Sequence, residues 1–245
     1  MSALSGSSVR SAAYPSSRSP TPRFAILVAG GSGQRMGAPV PKQFLLLQGE
    51  PVLAHTLRCF AAPRLAVQEL IVVLPEAEIE TWKRLCQEHT IAVPHRLVSG
   101  GATRWASVKA GLAALKSYPT GLIAVHDGVR PLVSAAVIER TYAAAATHAA
   151  AAAAVQPKDS VRQVSQHGSV ALNRQRLRLM QTPQTFDLDL LRRAYALPEL
   201  TTFTDDATVV EDLCRVQLVE GDYRNLKITT PEDLVIAEAL LASSK

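Results

Sequence analysis

Paired cysteines, metal-ligand spacings and long apolar runs are missing from this chain, and each absence removes a class of function. Its three cysteines, Cys59, Cys86 and Cys214, are scattered and odd in number, with no C-x-x-C. That pattern belongs to reduced thiols and argues against a disulfide framework or redox work. The six histidines form no H-E-x-x-H or comparable spacing, so structural zinc is not expected. The longest apolar run, Ala143 to Val155, is interrupted by His148 and is too short to span a bilayer. Acidic residues are absent from Met1 to Arg23, where Arg10, Arg18 and Arg23 supply three of the five net positive charges. The rest of the chain is nearly neutral and shows no basic patch that would suit a nucleic acid.

The segment 1–22 is rich in Ser, Ala, Pro and Arg and lacks hydrophobic periodicity, which predicts a disordered tail. Its composition also matches an organelle transit peptide, although it is short for one, and it contains no apolar core of a secretory signal. From residue 23 to 245 the chain is long enough to bury one sizeable core, as one domain with at most a small appendage. Apolar strand-like runs at Phe24–Val28, Glu69–Leu74, Arg96–Val98 and Leu122–Val125 alternate with helical patterns. The helices are expected around Val52–Phe60, Glu76–Glu88, Thr103–Leu115 and Ser134–His148, with Thr103 as an N-cap. Such alternation predicts an α/β fold with a mainly parallel sheet covered by helices, whose ligands sit beyond the carboxyl ends of the strands. The second half of the alanine run Ala149–Ala154, with Val155, is expected to be a buried strand despite its helix propensity, because Gln156-Pro157 ends it. Asp159 to Leu172 then reads as a two-stranded excursion, too small to stand alone and so expected to pack on something, such as a second copy of the chain.

The most informative stretch is Leu27-Val28-Ala29-Gly30-Gly31-Ser32-Gly33-Gln34-Arg35-Met36-Gly37, followed by Pro41-Lys42-Gln43-Phe44. A strand runs into a glycine loop, whose backbone N–H groups can approach phosphate oxygens closely, and Arg35 and Lys42 add charge. A P-loop would need Lys-Ser/Thr after Gly33, where Gln34-Arg35 stands. A dinucleotide fingerprint would place Met36 where a small residue is wanted, and would need an acid better placed than Glu50 in its Gln-Gly-Glu-Pro turn. The loop reads as a nucleotide-phosphate cradle, with a tight turn lacking a ligand as the plain alternative.

Other chemistry also falls on loops that follow strands. His126-Asp127-Gly128-Val129-Arg130-Pro131 ends a strand with a carboxylate and a guanidinium three apart. Asp127 suits Mg²⁺ and Arg130 an anion, or the two form a structural ion pair; His126 is read as structural. Gly100-Gly101-Ala102-Thr103-Arg104-Trp105-Ala106-Ser107 is a second glycine turn feeding a helix. Asn225-Leu226-Lys227-Ile228-Thr229-Thr230-Pro231 puts a lysine on an extended run before a helix start, where plain solvent exposure is the alternative.

With Thr182-Pro183-Gln184 and Thr204-Asp205-Asp206-Ala207 added, seven motifs stand in one order between Phe24 and Leu241. In that order the chain resembles the 2-C-methyl-D-erythritol 4-phosphate cytidylyltransferases of the non-mevalonate isoprenoid pathway. The resemblance implies a Rossmann-like three-layer fold and transfer of CMP from CTP to methylerythritol phosphate, with Mg²⁺ at Asp127. It places Arg35, Lys42 and Lys227 at the catalytic positions. CTP would be bound at Ala29, Gly30, Gly31, Gly33, Gly101, Arg104 and Ser107. The sugar-alcohol phosphate falls to Asp127, Arg130, Thr182 and Thr204, with Ser160 and Arg174 from the excursion. It also implies a homodimer joined through an arm at about 157–176, with no nucleic-acid or membrane partner. The compartment implied is the bacterial cytoplasm, or the plastid stroma if 1–22 belongs to a transit peptide. Gly128-Val129 departs from the family's usual residues and is similar to the ribitol 5-phosphate cytidylyltransferases, which makes ribitol phosphate the alternative acceptor. A Rossmann-type oxidoreductase and a non-catalytic nucleotide-binding regulator are the readings from other classes. The first would bind NAD(P), and the second would lack one of the three cations.

Overall fold

The computed structural model describes residues 21–31 and 40–243, and strands and helices alternate through them. In chain order come β1 (Arg23–Val28), β2 (Leu46–Leu47), β3 (Glu50–Pro51), α1 (Val52–Phe60), β4 (Val67–Leu74), α2 (Ile79–Glu88), β5 (Arg96–Ser99), α3 (Arg104–Ala114) and β6 (Leu122–Asp127). There follow α4 (Ala135–His148), β7 (Ala150–Val155), β8 (Val161–Ser165), β9 (Gly168–Leu172), β10 (Leu179–Asp187), α5 (Leu188–Ala196), α6 (Asp206–Val210), β11 (Gln217–Glu220) and α7 (Pro231–Ala242). No helix among the described residues is long and apolar enough to cross a membrane.

Seven strands make one sheet in the order β11-β7-β10-β6-β1-β4-β5. Its pairs are parallel except those of β10, which runs antiparallel to both β6 and β7. In β1, Phe24 and Ile26 enter a cluster with Val108, Leu112 and Leu191 of α3 and α5. Ala25 and Leu27 enter another with Leu53, Leu57, Ile138 and Tyr142 of α1 and α4. A strand buried on both faces reads as a continuous apolar run, which is why β1 was legible. Each fully buried leucine or isoleucine here contributes about 2 kcal/mol. β1 lies between β4 and β6, so the chain departs from it to opposite sides, and a crevice opens beyond the carboxyl ends of these strands.

The alanine strand is longer than expected: β7 takes all of Ala150–Val155, pairing with β10 and β11. Pairing on both edges outweighs the helix propensity of alanine, and α4 stops before it because Ala149 turns left-handed at φ 64°. β10, α5 and β11 have no counterpart among the expected elements. In β10 the buried residues include Gln181, Thr182 and Gln184, so polar residues and a proline hide a strand that the sheet covers on both edges. The expected excursion is present as β8 and β9, which among the described residues pair only with each other. Most of the 1–22 tail reading lies outside the described residues, but its end is ordered into the body. Pro22 O accepts from Leu122 N at 2.9 Å, and Arg23 pairs with both Glu139 carboxylate oxygens at 2.7 and 2.9 Å.

Candidate active site

Two turns supply the backbone of the crevice. Ala29, just past β1, donates its N–H to Val73 O at 2.9 Å, so the chain leaves the sheet at Gly30 and Gly31. Beyond the undescribed stretch 32–39, Lys42 opens a short 3₁₀ turn ending at Phe44, which is buried and stacked on Trp82 with ring centroids 5.9 Å apart. After β5, Gly100 N donates to Leu74 O at 2.7 Å, and Thr103 caps α3 by accepting from Ala106 N at 3.0 Å. Ser107 Oγ donates to Thr103 O at 2.9 Å and accepts from Gly101 N at 3.2 Å. A Cβ on Gly101 would stand 2.4 Å from Ala106 Cβ, so only glycine lets this turn close on α3. These turns, with Lys42, Gln43, Arg104, Asp127 and Lys227, enclose a cavity of about 200 Å³.

Asp127 ends β6 at 6% exposure, surrounded by cations. Lys227 Nζ lies 3.1 Å from its Oδ2, Arg130 Nε 3.1 Å from the same oxygen, and Arg104 Nε 3.8 Å from Oδ1. Burial alone would raise the carboxyl pKa, but Lys227, Arg104 and Arg130 overcome it and hold Asp127 well below the usual carboxylate range. Asp127 and Arg130 therefore form the ion pair of the plain reading, and both also border the crevice. Gly128 lets this loop pass under the glycine turn: its N–H donates to Val28 O at 2.8 Å, and a Cβ there would come within 2.9 Å of Ala29 Cβ.

Lys227 reaches Asp127 because its neighbour is buried. Ile228 is 0% exposed in a cluster with Leu47, Val52, Val129 and Ala237, and its N–H donates to Val129 O at 2.9 Å. The lysine side chain, 42% exposed, is then directed along the crevice, so the solvent-exposure alternative is only half met. On the far side, Arg130 Nη1 donates to Asn225 O, Asn225 Nδ2 to Thr182 O (both 2.8 Å), and Asp127 N to Thr182 Oγ1 at 3.1 Å. This lattice borders a second cavity of about 290 Å³, lined by Arg130, Met180, Gln181, Thr182, Gln184, Thr204 and Asp205. Arg104, Asp127 and Lys227 line both cavities. A larger groove of about 1030 Å³ follows edge strand β11 and the foot of the arm, and shares none of these converging groups.

His126 lies behind the site, fully buried against Phe60, with Nε2 3.3 Å from Arg130 O. Burial pushes its pKa down to about 3, so it is neutral, and its place matches a structural role.

The crevice thus gathers Ala29, Gly30, Gly31, Lys42, Gly101, Arg104, Ser107, Asp127 and Lys227 around the first cavity. Arg130, Thr182 and Thr204 border the second. Gly33 and Arg35 lie outside the described residues. Ser160 and Arg174 line neither cavity: both are exposed on the arm, where Arg174 Nη1 donates to Lys158 O. Sequence reasoning assigned no role to Gln43, Gln181, Gln184, Asp205 or Asn225, although four of them lie inside quoted motifs and only the spatial contacts give them one. Among the described residues no three His, Cys, Asp or Glu side chains are grouped to hold a metal. Where the two cavities meet, the carboxylate offered to a divalent cation is Asp127, with Oδ1 beyond hydrogen-bond reach of Arg104. That donor set suits Mg²⁺, which takes one or two protein carboxylates and completes its shell with phosphate oxygens and water.

Residues 24–243 match the family model described as 2-C-methyl-D-erythritol 4-phosphate cytidylyltransferase. A relative of that name from Bacteroides thetaiotaomicron is 46% identical over 217 residues, covering 88% of this chain and 98% of its own. The structure is similar to the crystal structure of 4-diphosphocytidyl-2C-methyl-D-erythritol synthase from Anaerococcus prevotii, with a TM-score of 0.77 at 32% identity over 91% of this chain and 96% of that one. It is also similar to the 2-C-methyl-D-erythritol 4-phosphate cytidylyltransferase of Thermus thermophilus, with a TM-score of 0.70 at 34% identity over 90% and 99% of the two chains.

Proposed function

The chain belongs to the 2-C-methyl-D-erythritol 4-phosphate cytidylyltransferase family, and on that premise we propose how its residues carry out the reaction. It is a nucleotidyltransferase of isoprenoid precursor synthesis, moving CMP from CTP to methylerythritol phosphate with release of pyrophosphate. CTP occupies the cavity between the two glycine turns, and the sugar-alcohol phosphate the cavity bordered by Arg130, Thr182 and Thr204. One observation supports this pairing above the others: Arg104, Asp127 and Lys227 stand where the two cavities meet.

Two anions must be brought together for a phosphate oxygen to attack the α-phosphorus in line. Lys42, Arg104 and Lys227, with Arg35 from the undescribed stretch, neutralise them, and they hold the charge that builds on the phosphoryl oxygens and leaving pyrophosphate. No general base is required, because the attacking phosphate is already ionised near pH 7; this agrees with a site of cations and threonines without a triad. Asp127, kept ionised by its three cations, would hold Mg²⁺, which supplies further charge neutralisation to the triphosphate when bound. Cytosine presents an amino donor where uracil has a carbonyl, so backbone carbonyls near Ala29, Gly30 and Gly101 select CTP. Ser160 and Arg174 act from the arm of a second copy, making the enzyme a homodimer. The bacterial relatives support the cytoplasm as its compartment.

Pyrophosphate release with CTP or UTP, crossed against methylerythritol 4-phosphate or ribitol 5-phosphate, tests the reading. Turnover is expected with CTP and methylerythritol phosphate. Fast turnover with ribitol phosphate alone would overturn the acceptor assignment, and equal rates with UTP the cytosine assignment.

A further inference from the structure

Arg104 borders both cavities, but it is held from outside them. Its Nη2 donates to Asp206 Oδ2 at 2.6 Å, and the other oxygen of that carboxylate accepts from the Tyr195 hydroxyl, also at 2.6 Å. Asp206 is 0% exposed and Tyr195 2%, and neither lines the cavities. Each comes from a separately anchored element. Asp206 is the first residue of α6, whose start is fixed by Asp205 accepting from Thr208 N, with Thr208 Oγ1 accepting in return from Asp205 N. Gln184 of β10 ties that cap to the sheet, donating to Asp205 Oδ2 and accepting from Ala207 N, both at 2.8 Å. Tyr195 comes from α5, and its ring stacks on Trp105, the residue after Arg104, at 5.6 Å and 22°.

A buried carboxylate with one donor could rotate, and its second oxygen would be left without a partner. The Tyr195 hydroxyl supplies that partner and fixes the carboxylate so that Oδ2 faces the guanidinium. Burial first, then the neighbouring Asp206, raises the Tyr195 pKa, so the hydroxyl keeps the proton it donates. Two of the three corners of the arrangement are thus hidden from solvent while the third, Arg104, borders the two cavities. A guanidinium held on one edge keeps its other N–H groups directed into the crevice, which is the form of charge stabilisation that costs least reorganisation during reaction.

Resting on the substrate reading above, we propose that Tyr195 and Asp206 are positioning residues that set the Arg104 guanidinium between the triphosphate and the sugar-alcohol phosphate. Neither touches substrate. Their contribution passes entirely through Arg104, and this separates positioning from ordinary core packing.

The test is a double-mutant cycle in kcat/KM for CTP, with melting temperatures read alongside. Tyr195→Phe keeps the ring, its burial and the stack on Trp105, and removes only the hydroxyl. It is expected to lower kcat/KM about tenfold, the scale of one hydrogen bond to a charged group. In an Arg104→Ala background the same substitution is expected to change kcat/KM less than about twofold, because the group it acts through is gone. Equal losses in both backgrounds, or wild-type turnover in Tyr195→Phe, would overturn the proposal. If Tyr195→Phe folds poorly, Asp206→Asn decides instead, since it keeps the size of the side chain and loses the charge that holds Arg104. Wild-type turnover with CTP and methylerythritol phosphate is the control. Its absence would refute the substrate reading, whereas its presence beside an unaffected Tyr195→Phe would refute the positioning role alone.

Discussion

Mixing two inactive variants, Lys42→Ala and Arg174→Ala, is expected to restore activity that neither has alone. Lys42 lines the first cavity, while Arg174 lies on an exposed arm whose strands β8 and β9 pair with no other strand among the described residues. The arm also exposes Val164 at 79% and Val170 at 61%, and burying each under a partner would contribute about 1.5–3 kcal/mol. If the arm completes the other subunit's site, each site takes Lys42 from one chain and Arg174 from the other. Each single variant should lose on the order of 10²-fold in kcat, the cost of removing one preorganised charge. In a two-fold dimer of the two variants, one site carries both lesions and the other carries none. Random reassortment makes half the dimers mixed, so an equal mixture should recover about a quarter of wild-type activity. Pyrophosphate release is measured after subunit exchange has been confirmed by copurification of differently tagged chains. Were both residues drawn from one chain, every site would keep a lesion, and an absence of recovery after exchange would refute the shared site.

Lys227→Ala should lower kcat on the order of 10²-fold while the fold persists, because the side chain is 42% exposed; a loss under about threefold in steady-state pyrophosphate release would remove it from the chemistry. Deleting residues 1–20 should leave turnover and melting temperature nearly unchanged, since that stretch has no hydrophobic periodicity, and a large drop in Tm would show that it docks on the body. The cut must spare Pro22 and Arg23, which bond Leu122 and Glu139. His126 should make the protein acid-sensitive. Its pKa falls from the usual 6.5 to about 3 on burial, so the unfolded chain binds the extra proton. Stability from this group is complete above pH 6.5 and is lost as pH falls toward 3, with about 2 kcal/mol gone by pH 5. Urea midpoints for wild type and His126→Phe between pH 7 and 5 should diverge accordingly, and parallel slopes would contradict the assignment.

The N-terminal half of the fold was legible because β1, β4 and β6 are buried on both faces and announce themselves as apolar runs between amphipathic helices. Of the C-terminal half, α4, β7 and the β8–β9 excursion were legible but β10, α5 and β11 were not. β10 was hidden because it carries Gln181, Thr182 and Gln184 inward, where hydrogen bonds rather than apolar contacts satisfy them. The candidate site divides the same way. Glycine turns and cations at strand ends signal phosphate chemistry from type and order alone. Asn225 and Tyr195 look like ordinary polar and aromatic residues until the fold sets one against Thr182 and the other against Asp206. Lys227 falls between: its extended run was visible, but its aim depends on Ile228 being buried beneath Val129. Ser160 and Arg174 stand apart, because a single chain leaves them on an exposed arm.

If a phosphate oxygen of methylerythritol phosphate attacks the α-phosphorus of CTP between Lys42, Arg104 and Lys227, phosphorus NMR can follow that oxygen directly. The acceptor is supplied with heavy oxygen in its phosphate, and isotope shifts are read in both products. All label should appear in the unsymmetrical diphosphate of the cytidylated sugar alcohol, including its bridging oxygen, with none in pyrophosphate. Label in pyrophosphate, or no diphosphate product from the wild-type enzyme, would contradict the mechanism and the site built for it.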